Sequence, residues 1–297
     1  MATVHHMSKR QVPRKVKLAV LAFVLFGLAL GGWLLYRHDK IVHTDVQVIG
    51  HAGSGFMSPF NPFNPLPSNS MASILQAVEE HSADGVEVDV QLTQDGVPVL
   101  YHDPTLESST AATGFIDDLS ANEVIGLKYT GGFGYDLFQD EEIITLEAML
   151  QRFATYPELP YLHLDLRNQK PERHLNYAQT LLAMLRKYNY PVQQLVFISP
   201  NPDFLMAFRE VEPQAQLMLD TGGSFDEALQ TIQKYKLQGI CANGRNVSEA
   251  QVQQAKALGL QVALFGGKSR SRIAKMINMQ PDAIQVDNVA AARDLLE

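Results

Sequence analysis

The chain has 297 residues, 46% hydrophobic and 19% charged, with 20 Gly, 15 Pro and no low-complexity tract, which excludes a disordered, collagenous or multi-span membrane protein. A single cysteine, Cys241, can close no intramolecular disulfide and supports no cysteine-based zinc site, so any metal would be held by oxygen or histidine. Net charge is -8, but residues 1–40 carry seven of the 24 Lys and Arg and one of the 32 Asp and Glu; the remaining 17 basic and 31 acidic residues leave a body at -14, which argues against a nucleic-acid partner.

The first element is the apolar run Leu18–Tyr36, free of charge and, at about 1.5 Å per residue, about 28 Å long as a helix, close to the thickness of a bilayer's hydrocarbon core. Lys9, Arg10, Arg14, Lys15 and Lys17 precede it, so the positive-inside rule predicts a cytoplasmic N-terminus and an extracytoplasmic body, periplasmic or extracellular. Trp33 and Tyr36 suit the far interface. A cleaved signal peptide, cut near Ala29-Leu30-Gly31, is the competing reading. The expected division is a basic N-terminus over 1–17, an anchor or uncleaved signal over 18–36, a linker over 37–45 and one catalytic domain over 46–297.

From there β-branched runs alternate with amphipathic stretches. The spacing predicts strands at Val46–Gly50, Gly85–Leu92, Tyr161–Arg167, Gln194–Ser199, Gln216–Asp220, Gln238–Ala242, Gln261–Phe265 and Ala283–Asp287. Helices are expected near Met71–Ala83, Leu146–Thr155, Arg173–Tyr188, Pro202–Val211, Phe225–Tyr235, Glu249–Leu258, Arg270–Asn278 and Val289–Leu296, with Ser248 as an N-cap and Gly259 closing the sixth. Eight β-then-α units predict an α/β protein built as a (β/α)8 TIM barrel behind one N-terminal transmembrane helix. Val97–Tyr101 reads as an extra hairpin strand, residues 104–145 as an excursion from one barrel end, and Ser58–Pro67 as a loop.

A strand sends alternate side chains to one face. In Gly85-Val86-Glu87-Val88-Asp89-Val90 the valines would meet the helices while Glu87 and Asp89 face the barrel axis; in the third strand His163, Asp165 and Arg167 alternate with leucines in the same way. Three carboxylates packed together must take up protons or bind a cation, and a hard divalent ion is the simplest resolution; salt bridges to Arg167 and a lysine are the structural alternative. His51 and His102 fall where strands end, placed to act as base and acid around one phosphorus or carbonyl centre. His163 reads as packing or support, and His5, His6, His38, His43, His81 and His174 as solvated.

The string Gly85-Val86-Glu87-Val88-Asp89-Val90-Gln91-Leu92-Thr93-x-Asp95-Gly96-Val97-Pro98-Val99-Leu100-x-His102-Asp103, with His51-x-Gly53 and Asn69-Ser70 before it, resembles the glycerophosphodiester phosphodiesterase family; the similarity extends over residues 46–290 and thins after about 168. The resemblance implies a phosphoric diester hydrolase of lipid metabolism that releases an alcohol and glycerol phosphate, with one divalent metal ion, Ca2+ or Mg2+, on Glu87, Asp89 and Asp165. It also implies catalysis by His51 and His102, with the substrate's own glycerol 2-hydroxyl as nucleophile. Asp103 would orient a neighbour. The chain departs from the family pattern in several places: Ala52 replaces the arginine of H-R-G, Ser68-Asn69-Ser70 replaces E-N-T, Asp165 stands for a glutamate, Arg167 for a lysine, and Phe265-Gly266-Gly267-Lys268 for W-T-x-N. Arg167, Lys268, Phe265 and Asn69 are therefore the expected substrate contacts, Arg167 as a bidentate phosphate clamp.

These departures bear on the substrate more than on the reaction. A glycerophosphodiester or a membrane lysolipid, cleaved by a lysophospholipase D-type reaction, would each fit, and the apolar Phe56, Met57, Phe60 and Phe63 suit an acyl chain or their own barrel. A silent, tethered glycerophosphate-binding protein is a further reading. An aldolase or isomerase would need an inward lysine or a second metal site, and no predicted strand supplies that lysine.

Overall fold

The computed structural model describes residues 13–38, 45–56, 64, 66–130, 139–167 and 170–297, without the side chains of 34–38. Two compact units divide it, 1–40 and 41–297. In the first, helix α1 (Arg14–His38) shows Leu18, Leu21, Phe23, Phe26 and Leu28 to the exterior, and its Arg14–Trp33 stretch is long and apolar enough to cross a membrane. The Tyr36 side chain, His5, His6, His43 and most of the expected linker lie outside the described residues, as do Met57, Phe60 and Phe63.

The second unit is a closed barrel. Its parallel strands are β1 (Gln47–Gly50), β2 (Gly85–Leu92), β4 (Tyr161–Leu166), β5 (Leu195–Ser199), β6 (Gln216–Asp220), β7 (Gly239–Asn243), β8 (Gln261–Gly267) and β9 (Ala283–Val286), and the pairing of β1 with β2 closes the ring. Strand β3 (Pro98–Leu100) folds back antiparallel on the end of β2. The eight expected strands and the extra one are thus all present, within two residues at each end.

The helices follow the same rule. Between β1 and β2 stands α2 (Met71–Leu75); between β3 and β4 stand α3 (Ala121–Val124, in the excursion) and α4 (Leu146–Phe153); then come α5 (His174–Lys187), α6 (Pro202–Val211), α7 (Phe225–Tyr235), α8 (Glu249–Ala257), α9 (Arg270–Asn278) and α10 (Val289–Leu296). The expected long helix at Met71–Ala83 is instead α2 continued by a π-helical turn at Gln76–Glu80, and Ser82 turns the chain with φ +55°. Ser248 caps α8 with a reciprocal Gln251 bond, and Gly259 follows at φ +77°.

Alternation along the strands makes two cores. Val86, Val88, Val90, Leu162, Leu164 and Leu166 join the layer between barrel and helices, whereas Ile49, Val196, Ile198, Met218, Cys241 and Ala263 fill the barrel axis. The excursion has its own core of Tyr101, Leu106, Ile116, Val124, Tyr129 and Ile143. Strands β2 and β4 pair in register, with Asp89 opposite Asp165 and Gly85 opposite Tyr161. At Gly85 a Cβ would lie 2.0 Å from the Tyr161 carbonyl oxygen. Gly85→Ala is therefore expected to force the strands apart and cost about 3 kcal/mol or more, lowering the melting temperature by roughly 6–12 °C in a scanning-calorimetry comparison with the parent chain.

Candidate active site

The catalytic end of a parallel barrel is where its strands finish, because the connecting loops there are free to vary while the strands fix their roots. Glu87 and Asp89, 3% and 2% exposed, face the axis near the end of β2, with Asp165 beside them on β4. One oxygen from each of the three lies within 4.8 Å of the others. An ion at the roughly 2.4 Å typical of calcium–oxygen bonds can reach oxygens that far apart. Asp165 Oδ1 is buried with no hydrogen-bond partner, a lone pair still to be met. The donor set is all oxygen and the site fits a hard divalent cation.

The remaining contacts hold the cluster in place. The Ala52 backbone N–H donates to Glu87 Oε2 at 2.7 Å, from a turn with φ +48° at Ala52 and +88° at Gly53. Ala52 itself is fully buried, so the residue at the position of the family's arginine supports Glu87 from its backbone. Asn69, expected against the substrate, is fully buried and spends both amide atoms on Asp89: its Nδ2 donates to Oδ2 at 2.8 Å and its Oδ1 accepts from the Asp89 N–H at 3.0 Å. Asn69→Ala removes the partner of Asp89 Oδ2 and of the Asp89 N–H, so a stability loss of about 2–4 kcal/mol is expected in urea denaturation, together with weaker metal binding.

Arg167 makes the ion pairs that the sequence offered as the structural alternative. Its Nη2 lies 2.8 Å from Asp89 Oδ1 and 2.6 Å from Asp165 Oδ2, so the guanidinium bridges two of the carboxylates. The ion-pair alternative and the cation site therefore share the same residues.

Both histidines line one cavity with Glu87 and Asp165. His51 closes β1, and its Nδ1 lies 2.6 Å from Asp287 Oδ1 while its Nε2 lies 4.0 Å from Glu87 Oε2. Burial alone would pull the His51 pKa down, but the Asp287 hydrogen bond and the charges of Glu87, Asp287 and Asp89 push it up to about 9. His102 Nδ1 pairs with Asp103 Oδ1 at 2.8 Å. Phe56 stands between the rings, 5.3 Å from His51 and 5.5 Å from His102. Burial and the adjacent Asp89 raise the Glu87 pKa; burial also raises that of Asp165, against the opposing charge of Arg167.

A cavity of about 160 Å3 opens here, lined by His51, Glu87, His102, Asp165, Arg167 and Phe265, with Ile198, Asp220, Cys241 and Gln285 deeper in. Lys268 sits 3.4 Å from Asp287 Oδ2 rather than on this lining. His163 is buried and its Nδ1 lies 3.0 Å from the Gln285 amide nitrogen. His174, expected in solvent, is 8% exposed and stacks on Phe204 with 4.2 Å between ring centroids, because the first turn of α5 packs on α6.

Sequence reasoning passed over Asp287 and Asp220, although each ends a barrel strand, the position that singled out the histidines. Gly55 explains how Asp287 comes so close: at φ +88° it has no Cβ, which would otherwise lie 2.2 Å from the Asp287 Cα.

Comparison with known proteins agrees with this geometry. The family model of the glycerophosphoryl diester phosphodiesterase family matches residues 60–291. A glycerophosphodiester phosphodiesterase of Caldanaerobacter subterraneus is 41% identical over 154 residues, 52% of this chain and 61% of that protein; YhdW of Bacillus subtilis is 39% identical over 109 residues, 36% and 40% of the two chains. This chain thus spans between two fifths and three fifths of the length of those relatives. Among solved structures, an Oleispira antarctica phosphodiesterase in complex with sn-glycerol-3-phosphate superposes with a TM-score of 0.72 at 24% identity, covering 84% of this chain and 96% of that one. A glycerophosphodiester phosphodiesterase of Parabacteroides distasonis gives 0.70 at 22%, covering 86% and 98%. These two establish the shared fold, and the family match over most of the barrel establishes that the chain belongs to the glycerophosphoryl diester phosphodiesterase family.

Proposed function

We propose that the chain hydrolyses glycerophosphodiesters to an alcohol and glycerol phosphate, with a divalent cation on Glu87, Asp89 and Asp165 and with His51 and His102 as its proton carriers. The observation that carries this reading is that two histidines, each held through Nδ1 by its own carboxylate, line one small cavity with the oxygen cluster. When bound, a Ca2+ or Mg2+ ion supplies neutralising charge for a non-bridging phosphate oxygen.

The chain's own residues do the rest. His51, held charged by Asp287, gives its Nε2 proton to the departing alcohol oxygen as the P–O bond breaks. His102, oriented by Asp103, takes the proton of the attacking hydroxyl on its own Nε2. With the substrate's 2-hydroxyl as nucleophile the product is a cyclic phosphate; water then opens it with the two histidines in exchanged roles. Phe56 and Phe265 pack against the His51 ring, and Arg167 lines the cavity in which the phosphate would sit.

Helix α1 supports a membrane-tethered enzyme with the barrel outside the cytoplasm, where glycerophosphodiesters or lysolipids from the bilayer are its substrates. Release of choline from glycerophosphocholine, and from lysophosphatidylcholine in detergent, tests both substrate classes on the full chain. Binding of glycerol phosphate without release from any diester would establish the silent binding protein instead.

A further inference from the structure

Arg167 shares its partners with the proposed cation site. A single nitrogen, Nη2, is within hydrogen-bonding distance of oxygens on both Asp89 and Asp165, and those two carboxylates supply two of the three donors of the cation cluster. An ion bonded to the same oxygens would lie within about 5 Å of that nitrogen, at the sum of one coordination bond and one hydrogen bond, which sets two positive charges close together in a largely buried site. The observed position also leaves Arg167 incompletely satisfied: its Nε is buried with no hydrogen-bond partner, although the guanidinium has five donors to place. The side chain is one-third exposed and its backbone N–H donates to the Val90 carbonyl, so the stem has a fixed root beside solvent.

We infer that Arg167 is an internal stand-in for the cation: it neutralises Asp89 and Asp165 while the metal is away and leaves both when the metal binds. The inference rests on the proposed cation site, not on turnover. Without it, the in-register facing of Asp89 and Asp165 on neighbouring strands would set two like charges together in a buried site. With it, the metal-free barrel stays folded, and metal affinity is lowered by the need to expel a guanidinium.

The test uses the full chain in detergent and Ca2+ alone, without substrate. Calorimetric titration is expected to show Arg167→Gln binding Ca2+ at least tenfold tighter than the parent, the range in which residues around a metal site act. Lys268→Gln removes a charge from the same barrel end without touching Asp89 or Asp165 and is expected to tighten binding by less. Metal-free Arg167→Gln should melt lower than the parent yet gain more from saturating Ca2+. Crystals of the parent grown with Ca2+ should show the guanidinium off both carboxylates. Tightening short of tenfold, an equal effect of Lys268→Gln, an equal Ca2+ gain in melting, or a guanidinium still on Asp89 and Asp165 beside the ion overturns the inference. None of these readouts needs turnover, so a chain that cleaves no diester but expels Arg167 on binding Ca2+ would sink the proposed function and leave this inference standing.

Discussion

His51→Ala is expected to lower kcat/KM for glycerophosphocholine by about 10²–10⁴-fold, the usual worth of a positioned proton donor. His102→Ala should fall in the same range, and the double variant should lose far less than the product of the two, because both serve one proton transfer path. The reasoning is geometric. Each ring is fixed at Nδ1 by a carboxylate, at 2.6 Å for His51 and 2.8 Å for His102, which leaves each Nε2 as the working nitrogen. Asp287→Asn keeps the shape but removes the charge that holds His51 protonated, so it should lower kcat with KM nearly unchanged. Steady-state kinetics on the four variants with intact circular dichroism spectra checks this; His51→Ala at parental rate would remove His51 from the mechanism.

Removal of the metal should have the second large effect. Turnover is expected to vanish with chelator and return with Ca2+ or Mg2+, and Glu87→Gln should not be rescued by either ion. The effect extends to stability. Binding at 100 times Kd contributes about 2.7 kcal/mol to the folded state, which for a barrel of this size is roughly 5–10 °C in melting temperature. The gain should depend on pH, with a sign set by the raised pKa values. His51 sits at about 9 when folded against 6.5 as a free group, so its contribution is complete below 6.5 and is lost as pH rises through 9; the raised Glu87 adds a loss in the same direction. Chelated protein should therefore lose stability from pH 6.5 to 9 while Ca2+-loaded protein changes less, which differential scanning at four pH values would show. A melting temperature indifferent to Ca2+ throughout that range would argue that the three carboxylates hold no ion.

The barrel and the acidic cluster are legible in the sequence for the same reason. A period of two along Val86–Val90 and Leu162–Leu166 sorts apolar from ionisable side chains before any contact is known, and in a closed parallel barrel one of those faces can only be the axis. The histidines are legible because strand ends carry the site in this architecture. Asp287 is not, since its part depends on a tight approach at Gly55, two hundred residues away in sequence, that no local pattern records.

What the residues determined alone is thus a matter of periodicity and spacing: eight strand–helix units, an apolar N-terminal helix, and Glu87, Asp89, Asp165, His51 and His102 on one end. What the tertiary structure decided is who touches whom. It set Asn69 against Asp89, drew Arg167 onto two carboxylates and buried His174 against Phe204. Those outcomes follow from the register between neighbouring strands and the packing of adjacent helices, and a polar side chain brought into such a site takes whichever partner compensates its lost hydration.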